Sequence, residues 1–182
     1  MFKQAWGIIV STNAVWDKIV SEKVPVKTIR TTYVYPWIVI SCVLMFLFCY
    51  IYASGKAFEL AIINTIIETI SLAGGYFISN LICFAYLKKY KPNLASKPDC
   101  ERLIAYSFTV IILIEIITIV APSLFFLKIL CMYIAYLLWE GCRAIWLLKE
   151  DDRGDIVLVF SITIIFVPII IDKLIHWMLP NV

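Results

Sequence analysis

Polar and apolar positions alternate along this chain in long blocks. After a mixed stretch of residues 1–32 come five apolar runs, at about residues 33–54, 60–87, 103–120, 124–148 and 156–179, each separated from the next by a short polar or proline-containing interruption. A helix of about 20 apolar residues crosses the hydrocarbon core of a bilayer and satisfies its own backbone hydrogen bonds on the way. The pattern predicts an all-α integral membrane protein, in which a five-transmembrane-helix bundle (residues 33–182) follows an amphipathic, interfacial, cytoplasmic lead-in.

Within the lead-in, Trp6, Ile9 and Val10, and then Trp16, Ile19 and Val20, recur at i, i+3, i+4, while Lys3, Asp17, Lys18, Glu22 and Lys23 lie largely off those faces. Ser11, Thr12 and Asn13 suit a helix N-cap. Two short helices on the membrane surface follow from this, with the rings of Trp6 and Trp16 at headgroup depth as interfacial contacts. Tyr33, Tyr35 and Trp37 at one end of the first run, and Tyr50 and Tyr52 at the other, match two aromatic belts. Ser54, Gly55 and Lys56 read as the turn into the second run. Pro122 and Ser123 read as a reversal, and residues 149–155 (KEDDRGD) as a charged loop whose Asp155 caps the fifth run. Pro168 is expected to kink that run.

The second run carries an inward-facing signature. Asn64, Glu68, Ser71, Gly75 and Ser79 share one helical stripe, with Gly74 beside them, so the helix is built to face protein. Gly74 and Gly75 allow close approach of a neighbouring backbone and are assigned to helix packing. Glu68, and Glu115 in the third run, are ionisable groups inside apolar segments, where a charge costs a few kcal/mol or more. Two readings follow. Glu68, Asn64 and Glu115 form an intramembrane polar site that binds a cation or relays protons, with Lys128 as a possible partner. Alternatively, the carboxyls are hydrogen-bonded glue between helices, through Asn64, Thr65, Ser71 or Thr118.

Composition agrees with the pattern. Hydrophobic residues make up 63% of the 182, well above the 45–50% of soluble domains. Net charge is only +3, but its placement is uneven. Thirteen of the sixteen Lys and Arg flank the N-terminal, second and fourth connections, and only Lys56, Lys128 and Lys173 fall on the other side. By the positive-inside rule the N-terminus is cytoplasmic, and five crossings place the C-terminus extracytoplasmic. The AWGIIV segment after Lys3 is too short for a signal-peptide core, so the first run is expected to direct insertion. A cell membrane is implied, with short loops suggesting a bacterial inner membrane.

The densest basic segment, residues 88–102, exposes Lys88, Lys89 and Lys91 as cytosolic contacts. Such a distribution points to the lipid bilayer and to other membrane or membrane-associated proteins as partners, and away from nucleic acid. The six cysteines show no CxxC spacing, His176 is the only histidine, and no nucleophile elbow or HExxH occurs. Neither an enzyme activity, a metal nor a cofactor is expected.

The order of features resembles the Yip domain family, five-span membrane proteins whose eukaryotic members interact with Rab/Ypt GTPases. The segment NAVWDKIVSEK before the first run is similar to the family's interfacial lead-in. ERLIAYSFT (residues 101–109) is similar to the opening of the third span of bacterial relatives, and YIAYLLWEGCRAI (residues 133–145) to the end of their fourth. The long polar N-terminal region and the acidic-Tyr-Gly-Pro type motif of eukaryotic members are absent. The resemblance therefore implies a bacterial-type member with a membrane-organising or protein-interaction role. A small transporter or ion-conducting subunit using Glu68 and Glu115 is the alternative.

Overall fold

The computed structural model describes residues 2–22, 24–52 and 57–178. Among the described residues there are helices and no strand: α1 (Phe2–Val10), α2 (Thr12–Glu22), α3 (Val26–Ile29), α4 (Tyr35–Tyr52), α5 (Ala57–Tyr90), α6 (Lys97–Ser107), α7 (Thr109–Val120), α8 (Tyr133–Trp146) and α9 (Glu150–Met178). Five stretches are long and apolar enough to cross a membrane: Val26–Tyr52, Phe58–Tyr90, Lys97–Val120, Pro122–Trp146 and Glu150–Met178. The expected turn at Ser54, Gly55 and Lys56, and the end of the fifth run at Leu179, lie outside the described residues.

Three of these helices begin well before their apolar runs. Helix α6 opens with Pro98 and Asp99, and α9 with Glu150, Asp151 and Asp152. Proline in a first turn lacks only an N–H that would be orphaned anyway, and carboxylates there complement the helix dipole. A hydropathy window passes over such polar first turns. Most of the expected charged loop is therefore helix, and Asp155 does not cap α9 from outside. It sits within the helix, 3.2 Å from Lys91 Nζ, and accepts a hydrogen bond from Tyr86 OH at 3.3 Å.

The first span starts at Val26 rather than residue 33, so the last turn of the lead-in belongs to it. Between α3 and α4, Arg30–Val34 form a wider π-type turn in which the Tyr35 N–H reaches back to the Arg30 carbonyl. Pro36 has no N–H to continue the ordinary ladder, and the wide turn resets the register just ahead of it.

Helices α6 and α7 run almost straight through Phe108, whose N–H still bonds to the Ile104 carbonyl. Most residues from Cys100 to Ile112 are buried, making this span the centre of the bundle. Helix α5 packs against α4 on one side and α9 on the other, and α8 also packs on α9. The α5–α9 pair is antiparallel. Its closest point is Gly75, where a Cβ would stand 2.6 Å from Pro168 Cγ. A side chain there would meet a ring that cannot rotate away. Gly74 is less constrained, since its Cβ would make an ordinary 3.4 Å contact with Ile171.

Helix α2 lies against α8. Trp16, expected at headgroup depth as a contact residue, is instead fully buried, edge-on to Tyr106 at 5.9 Å. The reason is Gly141 on α8. A Cβ there would collide with a Leu103 methyl and stand 3.0 Å from the Trp16 ring, so the missing side chain creates the indole's seat. Trp6 on α1 is 70% exposed.

Candidate functional site

Two polar clusters lie inside or against this bundle, toward opposite ends. The first surrounds a cavity of about 480 Å³ whose lining includes Glu68, Ser71, Glu115, Lys128, Cys131 and Asp172. Helix α5 supplies Glu68 and Ser71 from its stripe, α7 supplies Glu115, and α9 supplies Asp172 one turn beyond Pro168. Lys128 comes from the 3₁₀ segment Pro122–Met132, which has no fully buried residue.

Ser41 on α4 donates to Glu68 Oε1 at 2.9 Å. Lys128 Nζ pairs with Glu115 Oε1 at 3.0 Å, and Thr118 donates to Glu115 Oε2 at 3.3 Å. Asp172 has Lys173 Nζ at 3.7 Å and His176 Nδ1 at 3.5 Å. The buried Ser71 hydroxyl has no partner among the described residues. Groups of both signs thus face one space, which suits a small charged or zwitterionic solute, or proton exchange on a carboxyl. Among the described residues no group of His, Cys, Asp and Glu is placed to hold a metal ion. Tyr76, Phe108, Phe160 and Ile164 are fully buried in the packed interior and do not line this space.

Of the residues singled out in the sequence, Glu68 and Glu115 do meet at this cavity. Asn64 does not line it, and its amide donates to the Leu60 carbonyl of its own helix at 2.9 Å. Ser41 is not recognisable beforehand, since one serine in an apolar run carries no partner information. Asp172 lines the cavity because α9, one unbroken helix through Pro168, packs on α5, a pairing that local sequence does not reveal.

The second cluster lies toward the end where Lys88, Lys89, Lys91, Lys97, Lys149 and Arg153 gather. Arg30 grips Glu101 with two hydrogen bonds, Nε to Oε1 and Nη2 to Oε2, the latter 2.6 Å long, and Tyr76 OH donates to Oε1 at 3.1 Å. Glu101 is only 5% exposed, and burying its charge is tolerable only with donors of this number and geometry. Nearby, Thr109 donates to Tyr33 OH at 2.9 Å. Arg143 joins Glu140 at 2.8 Å to Asp17 of α2 at 3.2 Å, and Arg102 bonds Asp99 at 2.9 Å and the Val24 carbonyl at 3.2 Å. These contacts hold the lead-in on the bundle.

Lys88 and Lys89 are exposed, the latter 5.1 Å from the Tyr90 ring centre. Lys91 is drawn to Asp155, whose hydrogen bond and charge hold the ammonium pKa above its ordinary value. Arg30 and Glu101 escaped the sequence reading because each sits among polar residues next to a span, and nothing in their spacing reveals that α3 and α6 meet. Compared with protein-family models, curated proteins and solved structures, the chain matches none.

Proposed function

We propose that the chain is a non-enzymatic, multi-pass integral membrane protein of bacterial Yip-domain type, whose basic end is a membrane-organising or protein-interaction face. The observation that carries this reading is the fastening of the N-terminal helices to that same end, through Trp16 seated beside Gly141, Arg143 bound to Asp17, and Arg102 bound to the Val24 carbonyl. A disposable tail would not need such contacts, whereas a docking face gains from being rigid. The two segments that resemble the family, ERLIAYSFT and YIAYLLWEGCRAI, supply Leu103 and Gly141 to this junction, which supports the resemblance as one of packing.

In this reading the basic end faces the cytoplasm, the N-terminus lies there, the C-terminus is extracytoplasmic, and the host is a bacterial inner membrane. The test is crosslinking from native membranes with the intact protein and with a Lys88→Glu, Lys89→Glu variant. Enrichment of anionic lipid or of a defined protein that the variant loses is expected. No enrichment, or enrichment indifferent to the charge reversal, overturns the proposal.

The cavity favours a second reading, a small transporter or ion-conducting subunit working through Glu68 and Glu115. Its support is the shared cavity itself, which brings Glu68 and Glu115 to one space. Protein reconstituted in vesicles is then expected to carry a proton- or cation-coupled flux that Glu68→Gln abolishes; absence of flux, or flux untouched by that substitution, removes this reading.

A further inference from the structure

Two surface grooves flank the Arg30–Glu101 pair, and both are lined by Arg30, Lys97 and Glu101. One, of about 500 Å³, adds Lys27, Thr31 and Tyr35; the other, of about 430 Å³, adds Phe77, Leu81, Phe84 and Asn80. Their chemistry differs along their length. Lys27 and Lys97 are exposed cations near the starts of the first and third spans, and Arg30 lies one helical turn inside the first. Phe77 and Leu81 lie on the outer face of α5, with Leu81 66% exposed. Charge sits where a span begins, and an open apolar wall runs beside it.

The interior of the site is already neutralised. Both Glu101 oxygens are taken by Arg30, and one also by Tyr76, so the carboxylate is shielded while Arg30 is locked in place. Lys27, Arg30 and Lys97 outnumber Glu101, leaving an excess of positive charge. Asn80 supplies the opposite need: its Nδ2 donates to the Tyr76 carbonyl at 2.8 Å, and its buried Oδ1 has no donor. The site therefore offers cations for a phosphate, one acceptor for a hydroxyl, and an apolar wall for a hydrocarbon chain.

We infer that Lys27, Arg30 and Lys97 bind the phosphodiester of an anionic phospholipid with a hydroxyl-bearing headgroup, of the phosphatidylglycerol kind, while Asn80 accepts from the headgroup and an acyl chain lies along Phe77 and Leu81. This rests on the proposed basic-end membrane face and assigns it a defined site. Diffuse attraction to an anionic leaflet needs only surface lysines. A site needs this geometry, and that difference can be measured.

The intact protein in neutral detergent is titrated with phosphatidylglycerol, phosphatidylcholine or soluble glycerol 3-phosphate, and bound lipid is counted by native mass spectrometry. One phosphatidylglycerol per chain is expected to bind about tenfold tighter than phosphatidylcholine, with no retained glycerol 3-phosphate, since the chain contact is required. Lys27→Glu with Lys97→Glu, both exposed and so compatible with folding, removes the preference; Asn80→Leu narrows phosphatidylglycerol toward phosphatidic acid, which lacks the headgroup hydroxyls. Lys88→Glu with Lys89→Glu removes the further, non-stoichiometric phosphatidylglycerol that the basic face attracts and leaves the first bound lipid and its preference in place. If instead that pair removes it as fully as the groove pair does, the attraction is diffuse: the site is overturned while the basic-face reading stands. Equal binding of both phospholipids by the unaltered protein overturns the site as well, and glycerol 3-phosphate binding as tight as the lipid would make it a soluble-phosphate pocket.

Discussion

At the basic end, Glu101 borders two surface grooves but receives three hydrogen bonds from Arg30 and Tyr76; toward the opposite end, Glu68 receives one from Ser41 and opens on a cavity of about 480 Å³. Both are carboxylates on helices that belong to candidate spans. Glu101 is fitted out as part of the frame, because an ion pair with complete geometry can be enclosed. Glu68 is only partly satisfied, and its neighbours Glu115, Lys128 and Asp172 face space rather than one another's backbones. An acid within an apolar helix therefore indicates function less by its presence than by how many donors the fold brings to it.

This contrast can be broken most directly at Arg30. Arg30→Met leaves Glu101 buried with only Tyr76 as donor, and a loss of about 3 kcal/mol is expected, visible as a lower Tm in detergent. A variant as stable as the parent would mean that the pair is not structural. A smaller loss, about 2 kcal/mol, is expected for Gly75→Ala, because the new methyl meets the Pro168 ring at the α5–α9 crossing. The same thermal scan reads it.

The smallest effect belongs to Glu68→Gln, at under about 1 kcal/mol, since the amide oxygen can still accept from Ser41. A small thiol reagent sharpens the contrast between the halves. Cys131 lines the cavity and is expected to react, whereas Cys83 and Cys142 are buried in the packed half and are expected to resist until the protein unfolds. Should Glu68→Gln destabilise as much as Arg30→Met, or all three cysteines react alike, the two halves do not differ in the way described.

Apolar run lengths alone were enough to locate five helices of spanning length, because the hydrocarbon thickness imposes a length that few other structures share. The polar first turns of α6 and α9 were not legible, since hydropathy is blind to caps and dipoles. Pattern also misplaced Trp16. Its amphipathic spacing suits a lipid interface and a protein seat equally, and only Gly141, far along the chain, decides between them. Glu68 and Glu115 were legible as candidates because ionisable groups stand out against isoleucine. Ser41, Asp172, Arg30 and Glu101 were not, because their significance arises from which helices become neighbours.

The seat of Trp16 bears on the order in which the protein is made. Its walls are Leu103, Tyr106 and Gly141, and the hydrogen bond between Thr12 and Tyr133 joins residues 121 apart in the chain. During synthesis the lead-in leaves the ribosome before Lys97–Val120 and Pro122–Trp146, yet it cannot be seated until both stretches are in place. Until then Trp16 and Ile19 are uncovered and free to rest on lipid or a chaperone. Docking of α2 thus reports completion of the bundle, so a protease cutting beside Lys18 would distinguish finished molecules from unfinished ones.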